Sequence, residues 1–143
     1  MRCELLRAAT AGELDADRVL REDWLGDPVE PDEDDMLPIV SLQIAIGGDP
    51  QRNAGEAETI YFAERLGGSI VTDDNAAYQF AASRPTLGRD RVLDTIRILT
   101  DLVTAEVISP EDAVTLCREM RSAGRNLRRT HPISLTPRYF RVA

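Results

Sequence analysis

Apolar residues recur every three or four positions along most of this chain and form a strand-like run in only one place. Cys3, Leu5, Leu6 and Ala9 predict a helix over residues 2–11 that Gly12 ends. Val19, Leu20 and Trp24 share one face of a second helix over 15–25, stopped by Gly26. Residues 27–35, DPVEPDEDD, carry two prolines and six acids and predict a loop, with Asp34-Asp35 placed to start the next element. Residues 36–46 are strongly apolar, and Pro38 suits the first turn of a helix better than a strand interior. After the Gly47-Gly48-Asp49-Pro50 turn, a helix opens at Asn53 or Ala54. It runs through Leu66 with Ala57, Ile60, Tyr61 and Ala63 inward, and Gly67 closes it.

Residues 69–72 form a short run with β-branched Ile70, Val71 and Thr72, which predicts a buried strand. A helix follows over 75–83, ended by Arg84-Pro85. Another is expected over 90–105, with Val92, Leu93, Ile96, Leu99 and Val103 at helical spacing. Ser109-Pro110-Glu111-Asp112 then opens a last helix: a hydroxyl cap, proline at the first position and acids in the first turn. It ends near Ala123, with Gly124 as its stop. Many helices around a strand predict an α/β fold, helix-rich with a small parallel sheet. One visible strand cannot make a sheet, and the shortfall points to the N-terminal end.

At 143 residues the chain has the length of one ordinary domain. It contains no apolar run of about 18 residues, so no membrane span is expected. The N-terminus also lacks the apolar stretch of a secretory signal. Cys3 and Cys117 have neither metal-ligand spacing nor a disulfide framework, so reduced thiols and a cytoplasmic location are expected.

The net charge of -8 is unevenly distributed. Residues 1–58 hold fifteen acids against five arginines, a balance of -10. From Cys117 onward seven arginines face Glu119 alone, a balance of +6, which allows an anionic partner at the C-terminal end. All seventeen basic residues are arginine. Chemistries that need a lysine amine, such as P-loop or Schiff-base catalysis, are therefore excluded. His131, the single histidine, sits beside Pro132 in a poorly periodic segment that does not suit a Ser-His-Asp triad. Carboxylates remain to carry chemistry.

The segment from Gly55 to Asp74, GEAETIYFAERLGGSIVTDD, concentrates them. Its helix, double-glycine turn and strand return Glu56 and the Asp73-Asp74 pair to one edge of a sheet, where ligands gather in parallel α/β folds. Taken singly, each acid has an ordinary explanation. Glu4, Glu56 and Glu58 suit helix first turns, and Asp74 suits the cap of the helix beginning at Asn75. Together they form a negative site that a cation would neutralise. Oxygen ligands of this kind suit Mg²⁺ or Mn²⁺, which can activate a water against a phosphodiester.

On these residues the chain resembles PIN domains, the fold of VapC-type toxin ribonucleases and related nucleases. The matching motifs are Glu4-Leu5 in CELLRAA, Glu56 with Ala63 seven residues on, and Thr72-Asp73-Asp74. The stretch TLGRDRVLDTIRILTDLVTAEVISPEDAVTLCREMRSAGRNL is similar to the helical C-terminal extension of a PIN-like subfamily. The resemblance implies a three-layer sandwich over residues 1–129, with 86–129 as the helical extension and 130–143 as a tail. It implies Glu4, Glu56 and Asp74 as catalytic metal ligands, with Asp73 as the alternative for the last position and Glu58 as a neighbour that orients. The activity implied is that of a metal-dependent ribonuclease, a hydrolase of RNA phosphodiesters. Arg125, Arg128 and Arg129 are then expected to contact RNA phosphates.

The sequence departs from the family's pattern at one point. The first acid of that pattern, an aspartate ending an N-terminal strand, has no counterpart ahead of Glu4. The chain is thus expected either to continue upstream of Met1 or to be a shortened form. The apolar positions near Met1 further suggest a homodimer or a covering protein segment. The second expectation is accordingly a non-catalytic PIN-like interaction protein with an antitoxin-like partner.

Overall fold

The computed structural model describes residues 29–47, 53–128 and 135–141. The predicted helices over 2–11 and 15–25, with Glu4, lie outside the described residues, as do Arg129 and His131. The chain divides into two compact units, residues 1–37 and 38–143.

In the first unit, Asp32 and Asp35 build a reciprocal cap. The Asp35 amide donates to Asp32 Oδ1 at 3.0 Å, and the Asp32 amide donates to Asp35 Oδ2 at 3.1 Å. This starts helix α1, Glu33–Ile46, inside the acidic stretch expected to be a loop. Three first-turn acids beside the exposed amides of a helix N-terminus explain the earlier start. Pro38 consequently stands inside the helix rather than in its first turn, and removes one amide donor there.

The second unit begins within α1, whose Ile39, Leu42 and Ile46 are buried. Helix α2, Ala54–Leu66, buries Ala57, Ile60 and Ala63 along one face. It ends at Gly67 in the left-handed conformation (φ 71°), where the Gly67 and Gly68 amides both return to the Ala63 carbonyl. The Arg91 guanidinium braces this turn, donating to the Ala63 carbonyl at 2.8 Å, to the Thr86 carbonyl at 2.9 Å and to the Gly68 carbonyl. Strand β1, Ile70–Val71, follows, and Asp74 caps helix α3, Asn75–Ser83.

The sheet is completed where a helix was expected. A 3-10 turn over Arg89–Arg91 leads into strand β2, Val92–Leu93, parallel to β1 with Ile70 opposite Val92 and Val71 opposite Leu93. The Thr72 amide donates to the Leu93 carbonyl at 3.0 Å, extending the ladder. The expected helix over 90–105 therefore starts only at Thr95, as α4, Thr95–Thr104, with Asp94 as its cap. Val92 and Leu93 fit both periodicities. Strand pairing prevails because an unpaired β1 would leave backbone groups without partners. The residues 86–129, expected as a helical extension, thus supply half of the sheet. Among the described residues, the fold is helix-rich with a two-stranded parallel sheet.

Ser109 caps helix α5, Pro110–Ser122, as expected, and forms a reciprocal capping box with Asp112. Residues 137–140, expected within a tail, instead form a short helix α6, Pro137–Phe140, whose Phe140 is wholly buried. Two apolar clusters result. One joins α1, α2, β1 and β2 through residues such as Ile39, Ile60, Ile70 and Val92. The other joins α4, α5 and α6 through Ile96, Leu99, Cys117, Leu135 and Phe140. No described helix is long and apolar enough to cross a membrane.

Candidate functional site

The carboxyl ends of β1 and β2 lie side by side, and an aspartate follows each strand. From Glu56 to Gly67 the helix rises roughly 16 Å, and extended chain from Gly67 to Thr72 returns about as far. The two lengths match, which is the reason Glu56 is expected near the level of the strand ends. Glu56 stands in the first turn of α2, half-buried, with no hydrogen bond or ion pair among the described residues. Helix amide dipoles favour a carboxylate there. Glu58, two residues further along the same helix and so on its other side, is half-buried as well.

Asp74 has the capping role that its position suggests. Its Oδ1 accepts from the Ala77 amide at 2.8 Å, while its own amide donates to Thr72 Oγ1 at 3.2 Å. The side chain as a whole is exposed, which leaves Oδ2 available. Asp73 is committed elsewhere: Oδ2 accepts from the Thr95 hydroxyl at 2.6 Å and Oδ1 from the Thr95 amide at 3.2 Å. It ties the end of β1 to the start of α4, so the two neighbouring acids do different work.

Asp94 ends β2 and is only 2 % exposed. Its Oδ1 accepts from the Arg97 amide at 2.8 Å, and its Oδ2 pairs with Arg128 Nη1 at 3.0 Å. The Arg128 guanidinium lies 3.5 Å above the centre of the Tyr78 ring. This aspartate is the strand-end acid that sequence reasoning missed. Its signal was present in outline, since Val92-Leu93-Asp94 resembles the β1 end, Ile70-Val71-Thr72-Asp73, without the intervening threonine. The periodicity of α4 extends backward over it and conceals the strand.

Beside β2 opens a cavity of about 610 Å³, lined by Tyr78, Arg89, Asp94, Arg97, Arg128 and Tyr139 among others. Burial, with the nearby Asp94 charge adding to it, raises the Tyr139 phenol above its ordinary value. Arg128 is thus held in place by an acid and a ring, whereas Arg125 is exposed at the end of α5. Deeper in the second cluster, burial raises the Cys117 thiol. The Arg121 charge opposes that rise and the Asp73 charge adds to it. Cys117 is a free thiol in an apolar setting, without the character of a nucleophile.

The available donors are carboxylate oxygens, which fits a hard cation such as Mg²⁺ or Mn²⁺. Of the expected ligands, Glu56 and Asp74 Oδ2 are uncommitted, and Asp73 is held by Thr95. Among the described residues, no three Asp, Glu, His or Cys side chains form a group able to hold a metal. A full cation shell would need a further ligand from outside those residues, where Glu4 lies. Comparison of the chain with protein-family models, with curated proteins and with solved structures gives no match.

Proposed function

We propose that this chain is a PIN-like domain of three-layer type that acts on RNA phosphodiesters with a divalent cation, Mg²⁺ or Mn²⁺. The observation that carries this reading is the α2–turn–β1 unit. Its helix carries in its first turn Glu56, which makes no hydrogen bond or ion pair among the described residues. Its strand runs on to Asp74, whose Oδ2 lies outside the bond to the Ala77 amide. Both suit a cation at the carboxyl edge of a parallel strand pair. Glu56 and Asp74 would hold the cation, with Glu4 as the further ligand. A bound cation would supply Lewis-acid polarisation of a phosphodiester. Asp74 is held in orientation by its bond to the Ala77 amide, so little side-chain entropy remains to be lost on binding. Asp73 is a positioning residue that fixes α4 against the strand end through Thr95. The free, buried Cys117 suits a reducing, cytoplasmic setting.

The test is cleavage of end-labelled RNA in Mn²⁺ by the purified chain. Wild type is expected to cut, with Glu56→Gln and Asp74→Asn at least about a hundredfold slower. Asparagine also caps helices well, so Asp74→Asn keeps α3 intact while removing the charge.

A second reading, a non-catalytic interaction domain with an antitoxin-like partner or a second copy, draws support from exposed apolar side chains. Ile44 is 64 % exposed, Leu66 63 % and Val107 66 %. Under that reading, wild type and both variants leave RNA intact, while sedimentation shows a dimer or a stable complex with a partner.

A further inference from the structure

The cavity beside β2 is lined by residues outside the expected carboxylate set. Its volume of about 610 Å³ falls within the range of small-ligand sites, roughly 300 to 1,000 Å³. Within it the charges sort into committed and uncommitted groups. Arg128 and Asp94 neutralise each other across 3.0 Å, and Arg128 also stacks on Tyr78, so this wall is fixed. At the rim, Arg89 is exposed and makes no hydrogen bond or ion pair among the described residues. Arg97 gives its Nε to Asp101 at 3.0 Å and retains its two terminal amino groups. Asp90, also exposed and unpaired among the described residues, lines the same cavity as these two arginines.

Tyr139 completes the rim. Its ring packs edge-on against Phe140, with centroids 5.5 Å apart at 75°. Because Phe140 is wholly buried, Tyr139 is anchored while 41 % of it stays exposed. A bare phosphate would face Asp90 unfavourably and leave the aromatic ring unused. A nucleotide uses all of these groups: guanidinium forks match phosphate, a carboxylate accepts from ribose hydroxyls, and a fixed ring stacks a base.

We propose that this cavity binds a nucleotide, with Arg89 and Arg97 on the phosphate, Asp90 on the ribose and Tyr139 under the base. The nucleotide is either free or part of a single strand. The proposal stands on the cavity alone and does not require cleavage.

Two probes distinguish the sources: AMP by calorimetry, and a fluorescein-labelled single-stranded tetranucleotide RNA by anisotropy, both in EDTA. Binding of AMP as strong as that of the tetranucleotide identifies a free-nucleotide site, and much tighter tetranucleotide binding identifies a strand site. Either supports the proposal if the variants respond. Arg89→Ala and Arg97→Ala are each expected to weaken the tetranucleotide, and to lower the slope of log affinity against log salt by about 0.7. Tyr139→Ala is expected to weaken it about fivefold to a hundredfold, while Tyr139→Phe retains wild-type affinity. These side chains lie at the rim, and unchanged thermal melting would confirm that the variants fold. Failure of both probes to bind wild type overturns the proposal, as does wild-type affinity in Arg89→Ala and Tyr139→Ala. Cleavage by wild type that Glu56→Gln abolishes, with neither probe bound by wild type, would leave the nuclease reading standing and the pocket refuted. Binding at the rim without any cleavage would do the reverse.

Discussion

Asp94 combines two duties in one buried side chain, capping α4 and meeting Arg128 from 34 positions further along the chain. Arg128→Ala would take the Arg128 charge away from this buried carboxylate, and it is expected to destabilise the fold by about 3 to 5 kcal/mol, measurable by urea unfolding. Glu64 makes a different kind of contact. Burial raises its pKa, but hydrogen bonds from Arg84 and Thr86 and the charges of Arg84 and Arg91 outweigh that and leave it below the ordinary value of 4.5. A depressed folded pKa means the unfolded chain takes up the proton first as pH falls. The Glu64 contribution is therefore present in full above about pH 4.5 and is lost as pH drops through the lower folded value. Glu64→Gln should cost about 2 kcal/mol at neutral pH and flatten the acid limb of the stability profile. Single-residue roles of the capping kind were legible in the sequence, as Ser109 and Asp74 show, because a cap and its amides lie within a few residues. The Asp94–Arg128 pair was not, because no local signal links residues so far apart.

At the scale of elements, the decisive feature is β2. The sequence supports α2, β1, α3 and α5 almost to the residue, since each has its own stop or cap: Gly67, Asp74, Arg84-Pro85 and Ser109. It obscures β2 because Val92 and Leu93 also fall on the apolar face that continues into α4. Two residues have too little length to display a period. Pairing with β1 is a non-local reason that the local pattern cannot state. Hydrogen exchange separates the two possibilities. The Thr72 amide, bonded to the Leu93 carbonyl, is expected to exchange slowly, whereas a helix over 90–105 would leave it without that partner. The start of α5 offers a smaller check: Ser109→Ala should cost about 1 kcal/mol by loss of the capping box.

For the whole molecule, the last described residues matter more than their composition suggests. Residues 130–143 have no clear periodicity, yet Leu135 and Phe140 close the second apolar cluster over α4 and α5. A short helix with one buried ring gives no repeating pattern, which is why the segment looks like a tail in the sequence. Phe140→Ala is expected to destabilise the fold by about 3 to 5 kcal/mol, seen as a lower urea midpoint. The candidate site was legible to the same degree as the elements that carry it. Glu56 and Asp74 follow from a continuous helix–turn–strand unit, while the cavity beside β2 depends on segments that meet only in the fold.

The most direct measurement is a double-mutant cycle on RNA cleavage in Mn²⁺, using wild type, Glu56→Gln, Asp74→Asn and the double variant. Two carboxylates that hold one cation act as a unit, so each single variant should lose most of the rate and the double variant little more. Wild-type rates in both single variants, or no cleavage by wild type, would contradict the account.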